Sequence, residues 1–490
     1  MNVWEKIKKV VRKLFRKNNI EAAFGTSIAV STRMESKMQL WSDMFEDHPP
    51  WKNEEKGALT MNLPSAISSE MARLVTLEMQ TEITGSERAD WLNKQYQPVV
   101  KKARQFTDFA CAMGGVVLKP YVSGDRIFVS VIQAIDFYPT SFDSDGDVTG
   151  GIFADYAYIG NHKYTRLEEH KLQNNTLTIT NKVYKTVVSE ISSTQENVLG
   201  NETLLTEVPE WAEIDPVVTI NDVERTLFQY FKMPFANSVE PRSPLGVSVF
   251  AKAEEQIKEA DRQWSESMWE FEAGEMAIHA SYNLFRLDEQ GHPIFPKGKE
   301  RLYRTLEYNR EEKFDPYNPQ FRDQSLFNGL NKIVQRIEFL CGLAYGTISE
   351  PASVDKTATE VKQSRQRSFS TVVDIQKALQ DTLDHLVYAM DVLATLYDLA
   401  PEGKYEISYY WDDSLVVDSG EQRMIDLQEV AAGIMEAWEY RMKWYNEDEE
   451  TAKERTGFNE EKDDDEIMEF IDEPEPEDGS QNPKEKQGGE

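Results

Sequence analysis

A chain of 490 residues with 40% hydrophobic and 11% aromatic residues can bury a sizeable core, which excludes wholesale disorder, and its length calls for about two to four structural units. The formal net charge of −32 argues against a protein that grips nucleic acid statically, because that task leaves a basic footprint. Residues 459–490 hold 14 acids and three lysines, so a net of −11 sits in the tail and −21 on the remainder, and the acidity is general.

A mean hydropathy of −0.58 points to extensive water-facing surface. No stretch reaches the roughly 18 apolar residues of a spanning helix, and the N-terminus is too charged for a secretory core, so the reading is a cytosolic chain without a membrane partner. Cys111 and Cys341 share no metal-type spacing with each other or with a histidine and read as buried thiols.

In chain order, residues 1–29 form a basic amphipathic segment. Lys6, Lys8, Lys9, Arg12, Lys13, Arg16 and Lys17 surround an apolar stripe of Trp4, Ile7, Val11 and Leu14, a pattern that fits either a solvated terminal helix or contact with an anionic partner. From 30 to 110 the pattern is mostly helical, with Ala66, Ile67, Met71, Leu74 and Val75 on one stripe. Gly115–Val122 and Arg126–Ile132 alternate as strands around the turn Ser123-Gly124-Asp125 and predict a β-hairpin. Further strand signals lie at 151–158, 163–188 and 226–231. Strands and helices segregate, so the fold class is α+β and a doubly wound nucleotide fold is excluded.

Pro244-Leu245-Gly246 opens a predicted helix of about 30 residues, with Phe250, Ile257, Trp264, Met268 and Phe271 among many glutamates. Residues 280–319 read as a compact β-leaning insert. A second helix is predicted from about Arg322 to Tyr345, with Leu326, Leu330, Ile333, Ile337 and Leu340 as its packing seam. Between Ala352 and Ala400 there is no glycine and, after Pro351, no proline before Pro401, so a very long helix is predicted from about Thr357 to Leu399. Its first part carries Lys362, Arg365 and Arg367, and its second an apolar seam of Val372, Ile375, Leu379, Leu383, Leu386, Met390, Leu393 and Tyr397. A strand at 405–410, a helical region at 420–456 and an acidic tail follow.

Signatures of enzymatic chemistry are weak. Gly298-Lys299 and Gly403-Lys404 lead into Glu300 and Tyr405, not the Ser or Thr of a P-loop. Gly246-Val247-Ser248-Val249-Phe250 starts like a nucleophile elbow but lacks its closing glycine. Asp143-Ser144-Asp145-Gly146-Asp147 resembles a calcium loop, yet its glycine stands at the fourth position and Ala154 at the twelfth, which favours a polar turn. His162 and His170 are too far apart for a short ligand pair. The reading is a non-enzymatic protein without cofactor or metal.

The order of parts, together with Gly114-Gly115, Lys119-Pro120-Tyr121, Asp136-Phe137-Tyr138-Pro139, Pro244-Leu245-Gly246-Val247-Ser248, Lys356-Thr357-Ala358-Thr359-Glu360-Val361 and Tyr410-Trp411-Asp412-Asp413-Ser414, resembles the portal proteins of tailed bacteriophages, particularly siphophages of Gram-positive hosts. The resemblance spans about residues 30–457. It implies a wing at 30–243, a first stem helix at 244–279, a clip at 280–319, a second stem helix at 320–345, a tunnel loop at 346–356, a long helix and return to the wing at 357–419, a crown at 420–457 and a disordered acidic tail at 458–490. It also implies a homo-oligomeric ring, twelve-fold in the virion, at one capsid vertex, assembled from subunits made in the host cytoplasm. Double-stranded DNA would pass through it during packaging and ejection. The implied protein partners are the terminase large subunit, head-completion or adaptor proteins, and the major capsid and scaffolding proteins.

Within that reading Lys356, Lys362, Arg365 and Arg367 are the candidate DNA-channel contacts, with pairing to Asp355 and Glu360 as the alternative. Glu254, Glu255, Glu259, Asp261, Glu266 and Glu270 either line an acidic channel, which would let phosphate slide without sticking, or pair with Lys252, Lys258 and Arg262 of neighbouring subunits. Two other classes stay open: a metal-dependent nuclease or hydrolase built on acidic clusters, and a monomeric scaffold whose long helix pairs with a partner's coiled coil.

Overall fold

The computed structural model describes residues 17–77, 79–187, 199–273, 277–281, 303–306, 314–317, 322–350, 358–411, 419–445 and 447–457, with four single positions between 286 and 294. Most of the basic N-terminal segment and all of the tail at 458–490 lie outside them. The chain divides into two compact units, Met1–Asp412 and Asp413–Glu490.

The first unit begins with a helical run over 17–24, α1, and then α2 (Thr32–Phe45), which Ser31 caps by accepting from the Met34 N–H at 3.1 Å. Met34, Met38 and Trp41 recur at helical spacing and are all buried. The same logic builds α3 (Leu63–Val75), entered through Pro64, α4 (Glu87–Val100), capped by Ser86, and α5 (Ala103–Met113). Strand β1 (Gln80–Thr84) lies between α3 and α4.

Beyond α5 the chain forms the predicted hairpin, β2 (Gly115–Ser123) and β3 (Arg126–Gln133), closed by Gly124 at φ +63°. A larger antiparallel sheet follows, with β4 (Phe137–Phe142), β5 (Val148–Ile159), β6 (His162–Gln173), β7 (Thr176–Val187) and β8 (Asn201–Thr203) in sequence order, and β9 (Val217–Asn221) also on β7. The single strand signal at 163–188 is thus two strands, because Asn174 and Asn175 both take positive φ and turn the chain back. Strand β10 (Gln229–Lys232) returns to pair with β2.

The two sheets meet around a buried ionic cluster. Lys119 of β2 donates to Glu168 of β6 at 2.8 Å, Arg166 lies 3.1 Å from the same carboxylate, and His170 Nε2 is 2.6 Å from its other oxygen. Although burial works against the charge, the neighbouring Lys119, His170 and Arg166 hold the Glu168 carboxyl well below its usual range, whereas burial lowers the pKa of His170.

The helix predicted from Pro244 starts later. Residues 246–250 run against the body, with the Val249 N–H and Ser248 Oγ both donating to the Cys111 carbonyl at 2.9 and 3.2 Å. A Cβ on Gly246 would stand 1.9 Å from the Gly114 carbonyl oxygen, so this close passage requires glycine. These tertiary bonds override helical propensity, and regular α6 spans Glu254–Ala273. Strands β11 (Ala277–Ser281), β12 (Tyr303–Leu306) and β13 (Phe314–Tyr317) pair as a small sheet of order β12-β11-β13 within the β-leaning insert, and α7 (Asp323–Cys341) follows.

The long stretch without glycine or proline is one 39-residue helix, α8 (Ala358–Leu396), roughly 59 Å in length. Val372, Ile375, Leu379, Leu383, Leu386, Met390 and Leu393 are buried along it, each contributing about 1.5–3 kcal/mol. Tyr397, assigned to that seam, falls beyond the helix end and is exposed. The end is clamped by the buried Arg88 of α4, which donates to Asp391 Oδ1 at 2.7 Å, to Thr395 Oγ1 at 2.6 Å and to the carbonyls of Asp391 and Ala400 at 2.6 and 2.7 Å. A guanidinium near a helix C-terminus complements the helix dipole, and here it ties α4 to the last turns of α8 and to Ala400 beyond them. Strand β14 (Glu406–Tyr410) then pairs antiparallel with β1.

The second unit contains α9 (Ser419–Ala431), α10 (Ala437–Tyr445) and α11 (Glu449–Thr456). Buried Asp426 of α9 accepts from Trp444 Nε1 and Lys443 of α10, both at 2.7 Å, and Glu447 receives a two-pronged hydrogen bond from Arg441. Among the described residues of the whole chain, no helix is long and apolar enough to cross a membrane.

Candidate functional site

Helices α6 and α7, the loop after α7 and the start of α8 gather the residues singled out in the sequence. On α6 the apolar positions Ile257 and Ala260 are buried and the acids are distributed around the rest. Two of those acids turn inward and serve the subunit's own fold. Asp261 is 3% exposed and accepts from Trp51 Nε1 and the Met61 N–H, both at 2.8 Å, while burial raises its pKa. Glu254 accepts from Trp41 Nε1 at 2.7 Å and pairs with Lys37 of α2. Both carboxylates, grouped in the sequence with the outward acids, are engaged within the subunit by partners more than 190 positions away, which could not be paired by inspection of the sequence.

Glu259 and Glu266 face outward and share Arg262 of the same helix, which holds Glu259 below its usual range. Glu270 is bound by Arg322 at the entry to α7, with Nε at 2.9 Å from Oε1, and its pKa is lowered for that reason. Glu255 is exposed. The expected partner Arg262 is therefore engaged within its own helix.

On α7 an acid in the middle of the apolar seam organises the next loop. Glu338 is fully buried and accepts from the N–H groups of Gly346, Ile348 and Ser349 at 3.2, 2.6 and 2.8 Å and from Ser349 Oγ at 2.8 Å. These four bonds fold residues 343–349 back onto the helix. Gly342, at φ +76°, ends α7, and a Cβ there would meet Thr371 Oγ1 of α8 at 2.6 Å. Neighbouring Cys341 is buried, and burial together with the Glu338 charge pushes its thiol pKa up, so it is an inert packing group.

Arg367 of α8 stacks on the exposed ring of Phe339 with 4.0 Å to the centroid, and Arg336 of α7 lies 4.8 Å from the same centroid. Arg367 thus joins α7 to α8 rather than standing free. Lys356 and the side chains of Lys362 and Arg365 lie outside the described residues. Glu338, Arg336 and Phe339 were not singled out in the sequence. Glu338 has a faint signal, a carboxylate inside an apolar seam, while an exposed aromatic between two arginines on separate helices has none.

The other motifs resolve into packing. Ser248 is buried, and its Oγ also accepts from the Phe250 N–H at 3.2 Å. Asp143 Oδ1 accepts from the N–H groups of Asp145 and Asp147 at 3.0 and 2.8 Å, the bonding of a polar turn. Among the described residues no group of three or more His, Cys, Asp or Glu is placed to hold a metal ion.

No family model matches the chain, and no curated protein matches it in sequence. Among solved structures, a chain of a particle described as the neck of a native GTA particle computed with C12 symmetry aligns with a TM-score of 0.37 and 11% identity, covering 78% of this chain and 88% of that one.

Proposed function

We propose that this chain is a non-enzymatic portal subunit, one member of a ring at a capsid vertex through which double-stranded DNA is packaged and ejected. The observation that carries the reading is a helical hairpin, α6 and α7, bracketing a small sheet and joined by a carboxylate-pinned loop to a 39-residue helix whose far end is clamped into an α+β body. That connected arrangement, together with the order and wording of the sequence segments described above, supports the assignment of a wing, a two-helix stem, a clip, a tunnel loop and a connecting helix. Residues 420–457 are the proposed crown.

The chemistry required is passive. Glu255, Glu266 and Glu272 present negative charge on the outer side of α6, and ring formation multiplies it, which disfavours lasting contact with phosphate. Lys356, Lys362 and Arg365 are the proposed weak contacts at the loop and the start of α8, and Arg367 is assigned instead to holding α8 on α7. Terminase, adaptor, scaffolding and capsid proteins are the proposed partners, and the virion vertex, after assembly in host cytoplasm, the proposed location.

Neutralising Lys356 and Lys362 together tests the DNA role. The expected outcome is impaired packaging or retention of DNA with ring assembly intact. Wild-type packaging by the double variant removes these residues from the contact set.

A further inference from the structure

Exposed cations without a carboxylate partner are gathered where α7 meets the first part of α8. On α7, Lys332 and Arg336 stand one turn apart and are both exposed. Between Phe327 and Gly342 the only acid is Glu338, which is buried and committed to the loop after the helix. Glu350, fastened beside Asn331 through its own N–H and carbonyl at 3.0 and 3.2 Å, makes no ion pair with either cation among the described residues.

Arg367 of α8 adds a third charge. It and Arg336 lie 4.0 and 4.8 Å from the centroid of the Phe339 ring, so the two guanidinium groups stand no more than about 9 Å apart, within reach of each other's field at moderate salt. Stacking occupies the face of a guanidinium and leaves its in-plane N–H donors free. Among the described residues neither side chain donates a hydrogen bond or pairs with a carboxylate. Like charges held this close without an acid between them are relieved by an anion from outside the chain. Phe339 meets Arg367 and Gly342 meets Thr371, so α7 and α8 advance in the same sense at this contact. The turns of α8 that precede Arg367, to which Lys362 and Arg365 belong, therefore pass the level of Arg336 and Lys332.

We infer that Lys332 and Arg336 are phosphate contacts for double-stranded DNA, continuous with those proposed at the start of α8, and that the Phe339–Arg367 stack is the positioning element that keeps the cations of the two helices in one strip. Lysine and arginine contacts to phosphate carry no sequence information, which suits a duplex that must move past them. The inference rests on the conduit reading and adds α7 as a second helix of the contact surface.

The test is association of the assembled full chain with a fluorescent DNA duplex, read by anisotropy as salt is varied, with particle mass and thermal melting as controls. Lys332→Gln with Arg336→Gln is expected to weaken association at low salt about fivefold and to reduce the slope of log affinity against log salt by about 1–2, with mass and melting unchanged. Lys332→Arg with Arg336→Lys keeps both charges and is expected to retain the wild-type slope. Phe339→Leu is expected to weaken association with every charge in place, and Phe339→Tyr to restore it. Wild-type affinity and slope in the neutral variant overturn the inference. So does a wild type that binds poly-glutamate of matched charge more tightly than duplex and loses that binding in the neutral variant, which makes the strip a docking place for an acidic protein. A wild-type ring with no salt-dependent association to duplex overturns the conduit reading itself.

Discussion

The α+β body and the α6–α7 hairpin use charge in opposite ways. In the body two ionic groups are buried within the subunit: Arg88 closes the end of α8, and Lys119, Arg166 and His170 converge on Glu168. On the hairpin the outward pairs are exposed, as with Arg262 between Glu259 and Glu266, while Asp261 and Glu338 are buried in the subunit's own hydrogen bonds. A charge taken out of water must be matched when the chain folds, whereas one left in water remains available to whatever arrives later. The body's buried charges therefore specify the fold, and the hairpin's outward charges stay in contact with solvent.

Breaking a buried partnership is the largest test of that contrast. Arg88→Ala removes the bonds that tie α4 to Asp391, Thr395 and Ala400 and is expected to cost about 3–5 kcal/mol in stability, read as a large drop in thermal or urea midpoint. Glu338→Gln keeps the shape but loses the charge that accepts four hydrogen bonds, with an expected cost of about 2 kcal/mol and earlier proteolysis after Leu343.

The ionic cluster adds a pH dependence. Glu168 is held below its ordinary 4.5, so its contribution is complete above that value and is lost as pH falls through the lower folded pKa. His170 is held below 6.5, so it also favours folding at higher pH, and its contribution fades as pH falls from 6.5. Urea midpoints are expected to fall between pH 7 and 5, and His170→Gln to flatten that slope. The smallest effect belongs to the hairpin: Arg262→Gln is expected to leave the monomer's urea midpoint essentially unchanged, and a clear drop would contradict the division drawn between the two regions.

The same division governs what could be read from the sequence. The hairpin β2–β3 and the helix α8 follow from local pattern: alternation around Gly124 in one, uninterrupted helix formers with a repeating apolar seam in the other. The start of α6 does not, because residues 246–250 are held by Cys111 and Gly114, with Ser248 and its acceptor 137 positions apart. Among the candidate acids, spacing places them on one helix but cannot separate Asp261, tied to Trp51 and Met61, from Glu266, which faces outward. Arg367 was legible as a cation near the start of α8, but its stacking on Phe339 depends on the crossing of two helices.

The central claim is that the hairpin's outward charge serves a ring. Negative-stain class averages of the purified full chain test it most directly: the account predicts annular particles with a central opening, and particles of one subunit's mass with no annular class at any concentration or ionic strength used for assembly would contradict it.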